Sequence, residues 1–122
     1  RGRIDYAYYG GAIAANPQAV LALLDQSGNH IQFRRTVSAG NGIIQISQDN
    51  GAVWSDLTPN DVSVSTLAFY LSPATDPFAA APTSNAQPLV TIAMSTINTT
   101  IEGATMRPTY LQTTVSSRQY LR

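Results

Sequence analysis

Residues 88–97 read Pro-Leu-Val-Thr-Ile-Ala-Met-Ser-Thr-Ile, and this stretch decides the fold class. Large apolar side chains (Val90, Ile92, Met94) alternate with small or polar ones (Thr91, Ala93, Ser95). A period of two sets one face of a strand on a core and turns the other toward water. Pro88 stands at the first position, where its missing N–H costs the ladder least, and the β-branched residues suit a pleated surface. The stretch predicts a central strand, with earlier strands pairing around it and the last, Tyr110 to Ser117, returning beside it.

Working outward, Val62 to Leu71 is the longest strand candidate. Its apolar phase runs Val62, Val64 and then Leu67, Phe69, Leu71, slipping by one residue at Ser65-Thr66. Such a slip would turn every later side chain to the wrong face unless a β-bulge absorbs the extra residue, so a bulge is predicted there. Ala19 to Asp25 and His30 to Val37 read as a hairpin through Gln26-Ser27-Gly28-Asn29, although the Leu-rich composition of Gln18 to Leu24 also allows a short helix. Ser38 to Gly42 is a second turn, with Gly40, Asn41 and Gly42 tolerant of positive φ, leading into a strand from Gly42 to Asp49. Asn50-Gly51 is the strongest hairpin signal in the chain, with Val53 and Trp54 returning beyond it.

Residues 1–9 space Ile4, Tyr6, Ala7 and Tyr8 compatibly with one or two helical turns ended by Gly10-Gly11, and equally with a strand entry. The chain opens on Arg1 without an initiator methionine, which reads as processed or cut from something longer. Leu57 to Asp61 is a turn or a single helical turn. Ser72 to Gln87, with Pro73, Pro77 and Pro82, and Ile97 to Pro108 read as surface loops. The whole of 1–122 is expected as one mainly β head domain, an antiparallel sheet of about six strands, or α+β if an upstream helix is counted.

Charged residues make up 11% of the 122 residues, against about 25% in typical globular domains, so the solvent-facing surface is mostly neutral and polar. All seven cations are arginine and seven carboxylates balance them. With no net field to draw in a phosphate backbone, nucleic acid is not an expected partner. No apolar run approaches the ~20 residues needed to cross a bilayer as a helix.

Catalysis requires an activated nucleophile, two titrating groups pushed apart, or a metal. The chain has no Cys or Lys and a single His, so thiolate and multi-imidazole metal sites cannot be built from it. His30, at a strand start after a turn, reads as a rim histidine. Asp49, Asp56 and Asp61, with Asn50 and Asn60, are close enough in sequence to converge on Ca²⁺, but their spacing matches no known loop, and Asp and Asn beside Gly and Pro ordinarily bond their own backbone. Gly40-Asn41-Gly42 lacks the third glycine and following helix of a phosphate loop. No catalytic, cofactor or metal residue is therefore assigned, and no enzymatic activity or cofactor is expected. Trp54 with Tyr6, Tyr8, Tyr9, Tyr70, Tyr110 and Tyr120 could form a sugar-stacking platform if several faced outward together. Trp54 is instead expected to lid the sheet, with Tyr70 and Tyr110 burying their rings and keeping the hydroxyls wet.

The segment Gln87-Pro88-Leu89-Val90-Thr91-Ile92, followed after a loop by Tyr110-Leu111-Gln112-Thr113-Thr114-Val115-Ser116-Ser117-Arg118, resembles the C-terminal end of type IV pilins and type II secretion pseudopilins, particularly minor subunits. The body is similar to such heads from Asp25 to Arg34, through Trp54, Leu57 and Thr58, to Asp61-Val62-Ser63-Val64 and Leu67-Ala68-Phe69. The prepilin processing site and long apolar helix typical of these proteins are not in this sequence, so residues 1–9 would be the end of that helix. The resemblance implies a filament subunit at the inner membrane and periplasm or on the cell surface. Its partners would be other pilin or pseudopilin subunits, it would meet the membrane only through the helix, and Ser72 to Gln87 and Ile97 to Pro108 would be its contact loops. Two other functions fit a β domain of this composition: a ligand-binding module such as a carbohydrate-binding or adhesin domain, which needs Trp54 and two tyrosines on one exposed patch, and a virion or tail component, which would be a stable homo-oligomer.

Overall fold

The computed structural model of the chain describes residues 3–59, 61–77, 88–98 and 109–116. It holds eight strands: β1 Arg3–Ile4, β2 Val20–Leu24, β3 His30–Ser38, β4 Asn41–Ser47, β5 Ser55–Asp56, β6 Val62–Ser72, β7 Leu89–Asn98 and β8 Thr109–Ser116. They form two antiparallel sheets, one in the order β1-β2-β3-β4-β5 and one in the order β6-β7-β8. The fold is mainly β, as the alternating patterns require, but the strands divide between two sheets of five and three where one sheet of about six was expected. β1 and β5 span two residues each; β1 realises the strand-entry alternative, and β5 is the return expected at Val53 and Trp54, displaced to Ser55–Asp56.

The stretch at 88–97 is the central strand of the smaller sheet, flanked by β6 and β8. The earlier strands other than β6 do not pair around it; they build the second sheet, which packs on the first mainly through β4 against β6. Ile4 and Leu21 from one sheet meet Phe69 and Leu71 from the other, with Tyr6 and Ile13 between, and Leu23, Phe33, Leu67, Val90 and Ile92 surround this core.

β6 and β7 keep register from Ser72↔Leu89 down to Thr66↔Ser95, then shift between Val64 and Thr66. The predicted bulge is there. Ser65 and Thr66 both turn their hydroxyls to Ser95, at 2.5 and 2.7 Å, so the extra residue is held by side chains where the ladder is interrupted. Beside it the sheets touch closely: Arg35 donates Nε–H to the Val64 carbonyl at 2.6 Å, and the Gly42 N–H donates to Ser63 Oγ at 3.0 Å.

The N-terminal segment departs from the helical expectation. Arg3 and Ile4 pair with Leu24 and Leu23, and the Asp5 N–H donates to the Ala22 carbonyl. Only Tyr6–Tyr9 turn helically, as one 3-10 turn stopped by Gly10 at φ 81°. Burying Ile4 in the core fixes its strand geometry, and the Gly10-Gly11 pair supplies the positive φ that ends the turn. The strand-entry alternative therefore describes Arg3 and Ile4. The Asn50-Gly51 turn is present, with φ of 61° and 90°, but β5 begins only at Ser55, so the connection is longer than a two-residue hairpin.

Candidate functional site

Pairing through β7 fixes which side chains of the smaller sheet share a face. Leu67, Phe69 and Leu71 stand with Met94, Ile92 and Val90, and these continue to Leu111, Thr113 and Val115 on β8. This is the core face. The larger sheet covers its β6 side, whereas among the described elements β8 has appreciable contact only with β7. Leu111 and Val115 consequently remain 49% and 58% exposed on the face that elsewhere buries Phe69 at 2%.

The opposite, outer face carries three rows: Tyr70-Thr91-Thr114, Ala68-Ala93-Gln112 and Thr66-Ser95-Tyr110. Between the two tyrosines lies an open groove of about 470 Å³, floored by Ala68 and Ala93, flanked by Thr66, Tyr70, Tyr110 and Gln112, and lined in part by Met94 and Leu111 of the alternate register. Tyr70 is 43% exposed and Tyr110 76% exposed, so neither buries its ring as the sequence led one to expect. Alternation sends Tyr70 away from the core that takes Phe69 and Leu71 on either side of it. Thr91 and Thr114 share a hydroxyl hydrogen bond of 2.9 Å at one end of the groove.

The remaining described tyrosines and the tryptophan are committed elsewhere. Tyr6 donates its hydroxyl to the Pro73 carbonyl, and Tyr9 donates to Val20 while accepting from the Ala22 N–H. Burial is the main cause pushing both phenols up to about 12. Tyr8 packs edge-on against Tyr9. Trp54 lies over the larger sheet with the Arg34 guanidinium 3.9 Å from its ring centre and its Nε1–H donated to the Gly51 carbonyl, so it lids that sheet and joins no platform with Tyr70 and Tyr110. Tyr120 lies outside the described residues.

Asp49 serves its own turn, and Asp56 a cross-strand pair on β5. Asp49 Oδ1 accepts from Ser47 Oγ and the Val53 N–H, Asn50 Oδ1 accepts from Gln32, and Asp56 Oδ1 accepts from Gln45. The Val53 N–H, foremost among these bonds, holds the Asp49 carboxyl below its ordinary range. Among the described residues no three His, Cys, Asp or Glu side chains group to hold a metal; Asn60 lies outside them. His30 has a partner that the sequence did not reveal: its Nδ1 sits 2.7 Å from Oδ2 of Asp5, a carboxylate 3% exposed and 25 residues earlier. Most of the two candidate contact loops, 78–87 and 99–108, also lies outside the described residues.

No family model, curated protein or solved structure matches this chain. Among the described residues no helix is long and apolar enough to cross a membrane.

Proposed function

We propose that the chain is the head of a filament subunit of the minor pilin or pseudopilin kind, assembling by protein–protein contact and catalysing nothing. The observation that supports this reading is the core face of the smaller sheet, which runs on past the cover of the larger sheet and leaves Leu111 and Val115 exposed on β8. A sheet face of this kind gains stability from any apolar helix laid across it, at roughly 25 cal/mol per Å² of apolar surface removed from water. In a pilin-type subunit that helix lies upstream of the head and packs with its counterparts to form the filament. Because Arg3 and Ile4 belong to the larger sheet, the helix would enter ahead of them and return across β8.

The test uses the native full-length chain in its own cells. Filaments sheared from the surface contain the chain by mass spectrometry, and Leu111→Asp with Val115→Asp removes it from that fraction while the wild type remains. Absence of the wild-type chain from sheared filaments, or undiminished incorporation of the double variant, overturns the proposal.

A further inference from the structure

We infer that the outer face of the smaller sheet binds a neutral carbohydrate chain, held in the groove between Tyr70 and Tyr110. This site is centred on the opposite side of the sheet from the apolar face proposed for assembly, shares Leu111 with it in its lining, and does not depend on that role. Its volume, about 470 Å³, falls within the range of small-molecule sites. The floor is open because Ala68 and Ala93 face each other across the β6–β7 pair and their methyl groups leave the space between the tyrosines unfilled.

The groups around the groove define the ligand. Two exposed tyrosine faces, without the tryptophan that the sequence reading asked for beside them, stack on the C–H faces of pyranose rings. Gln112 supplies both amide donors and an acceptor, matching the equatorial hydroxyls of a sugar edge, while the Thr66 hydroxyl, held by Ser95, keeps only an acceptor lone pair for it. Among the described residues no charged side chain lines the groove, so none of them favours a phosphate or a carboxylate. A purely apolar ligand would strip water from Gln112 without replacing its hydrogen bonds. Tyr6 and Tyr9 spend their hydroxyls on backbone groups, whereas those of Tyr70 and Tyr110 bond to none of the described residues. The tyrosines occupy opposite edge strands with four residues of stagger, a Cα span of roughly 16 Å at ordinary strand spacings. That separation suits an oligosaccharide better than a single ring.

The probes are neutral hexasaccharides of glucose and N-acetylglucosamine with α- and β-linkages, titrated into the ¹⁵N-labelled chain. The expected result is saturable shifts at Ala68, Ala93 and Gln112 with at least one probe. Tyr70→Ala and Tyr110→Ala each weaken binding about tenfold, the upper end of what one aromatic contact contributes. Ala93→Leu blocks binding by filling the floor; Ala93→Ser, which leaves the floor open, retains it and guards against loss through misfolding. Shifts that localise around Trp54, no saturable shift with any probe at millimolar concentration, or unchanged affinity in folded Tyr70→Ala and Tyr110→Ala variants would each overturn the inference. Preferential binding of an extended peptide at these same residues would overturn it too.

Discussion

At Gly42 a Cβ would sit 1.8 Å from the carbonyl oxygen of Val64 and 2.9 Å from Arg35 Nε. The obstacle is backbone from the other sheet, so a methyl group there pushes the sheets apart beside the bulge. Gly42→Ala is expected to cost about 3 kcal/mol, the upper part of the range for overpacking, measured by urea denaturation; a loss below about 0.5 kcal/mol, the ordinary scatter of surface changes, would show that the two sheets are not in contact there. The sequence placed this glycine in a turn for its conformational freedom, yet the residues with positive φ are Ala39 and Gly40. Nothing in an alanine announces a left-handed conformation, and close approach to a strand 22 residues later leaves no local mark. The Asp5 and His30 pair was illegible for the same reason, while Asn50-Gly51 was legible because its turn chemistry is local.

Strand edges were less visible than strands, because what guards an edge comes from elsewhere in the chain. β6 is covered along one side by residues 16–18: Gln18 exchanges both backbone hydrogen bonds with Phe69, and the Asn16 side chain donates to the Leu71 carbonyl and accepts from its N–H. Such coverage shields a sheet from unwanted pairing. Beyond β1, the edge of β2 is satisfied by one phenol, Tyr9, bonded to Val20 and Ala22. Burial, against the opposing pull of the Ala22 N–H, raises its folded pKa to about 12 from 10.0, so the buried phenol is held neutral. The stability it lends is fully present below about pH 10 and is lost as pH rises toward 12. Tyr9→Phe should therefore cost about 1–3 kcal/mol at pH 7, the penalty for stranding backbone partners, and flatten the loss of stability between pH 10 and 12. An unaltered alkaline slope, read from denaturation at several pH values, would show that the phenol does not hold this edge. The bulge was legible at this scale because a phase slip between Val64 and Leu67 is written into the residue order itself.

For the molecule as a whole, alternation foretold a mainly β chain, and the stretch at 88–97 its central position in a sheet. The partition into two sheets was not foretold, since it depends on two-residue strands and on β6 leaving its predecessors after the turn near Pro59. Period-two patterning also could not say how far one sheet covers the other, and that overhang is where the candidate surfaces lie. Leu111 and Val115 share a face with Ile92 yet stay exposed, because among the described residues cover stops short of β8. Since the 122 residues contain no cysteine, Leu111→Cys introduces a unique thiol into them and makes that face directly measurable. Its labelling rate is to be compared between the isolated 122-residue chain and the full-length chain in sheared filaments. Assembly through the apolar face predicts ready labelling in the first and at least about tenfold protection in the second; equal rates in both states would contradict it.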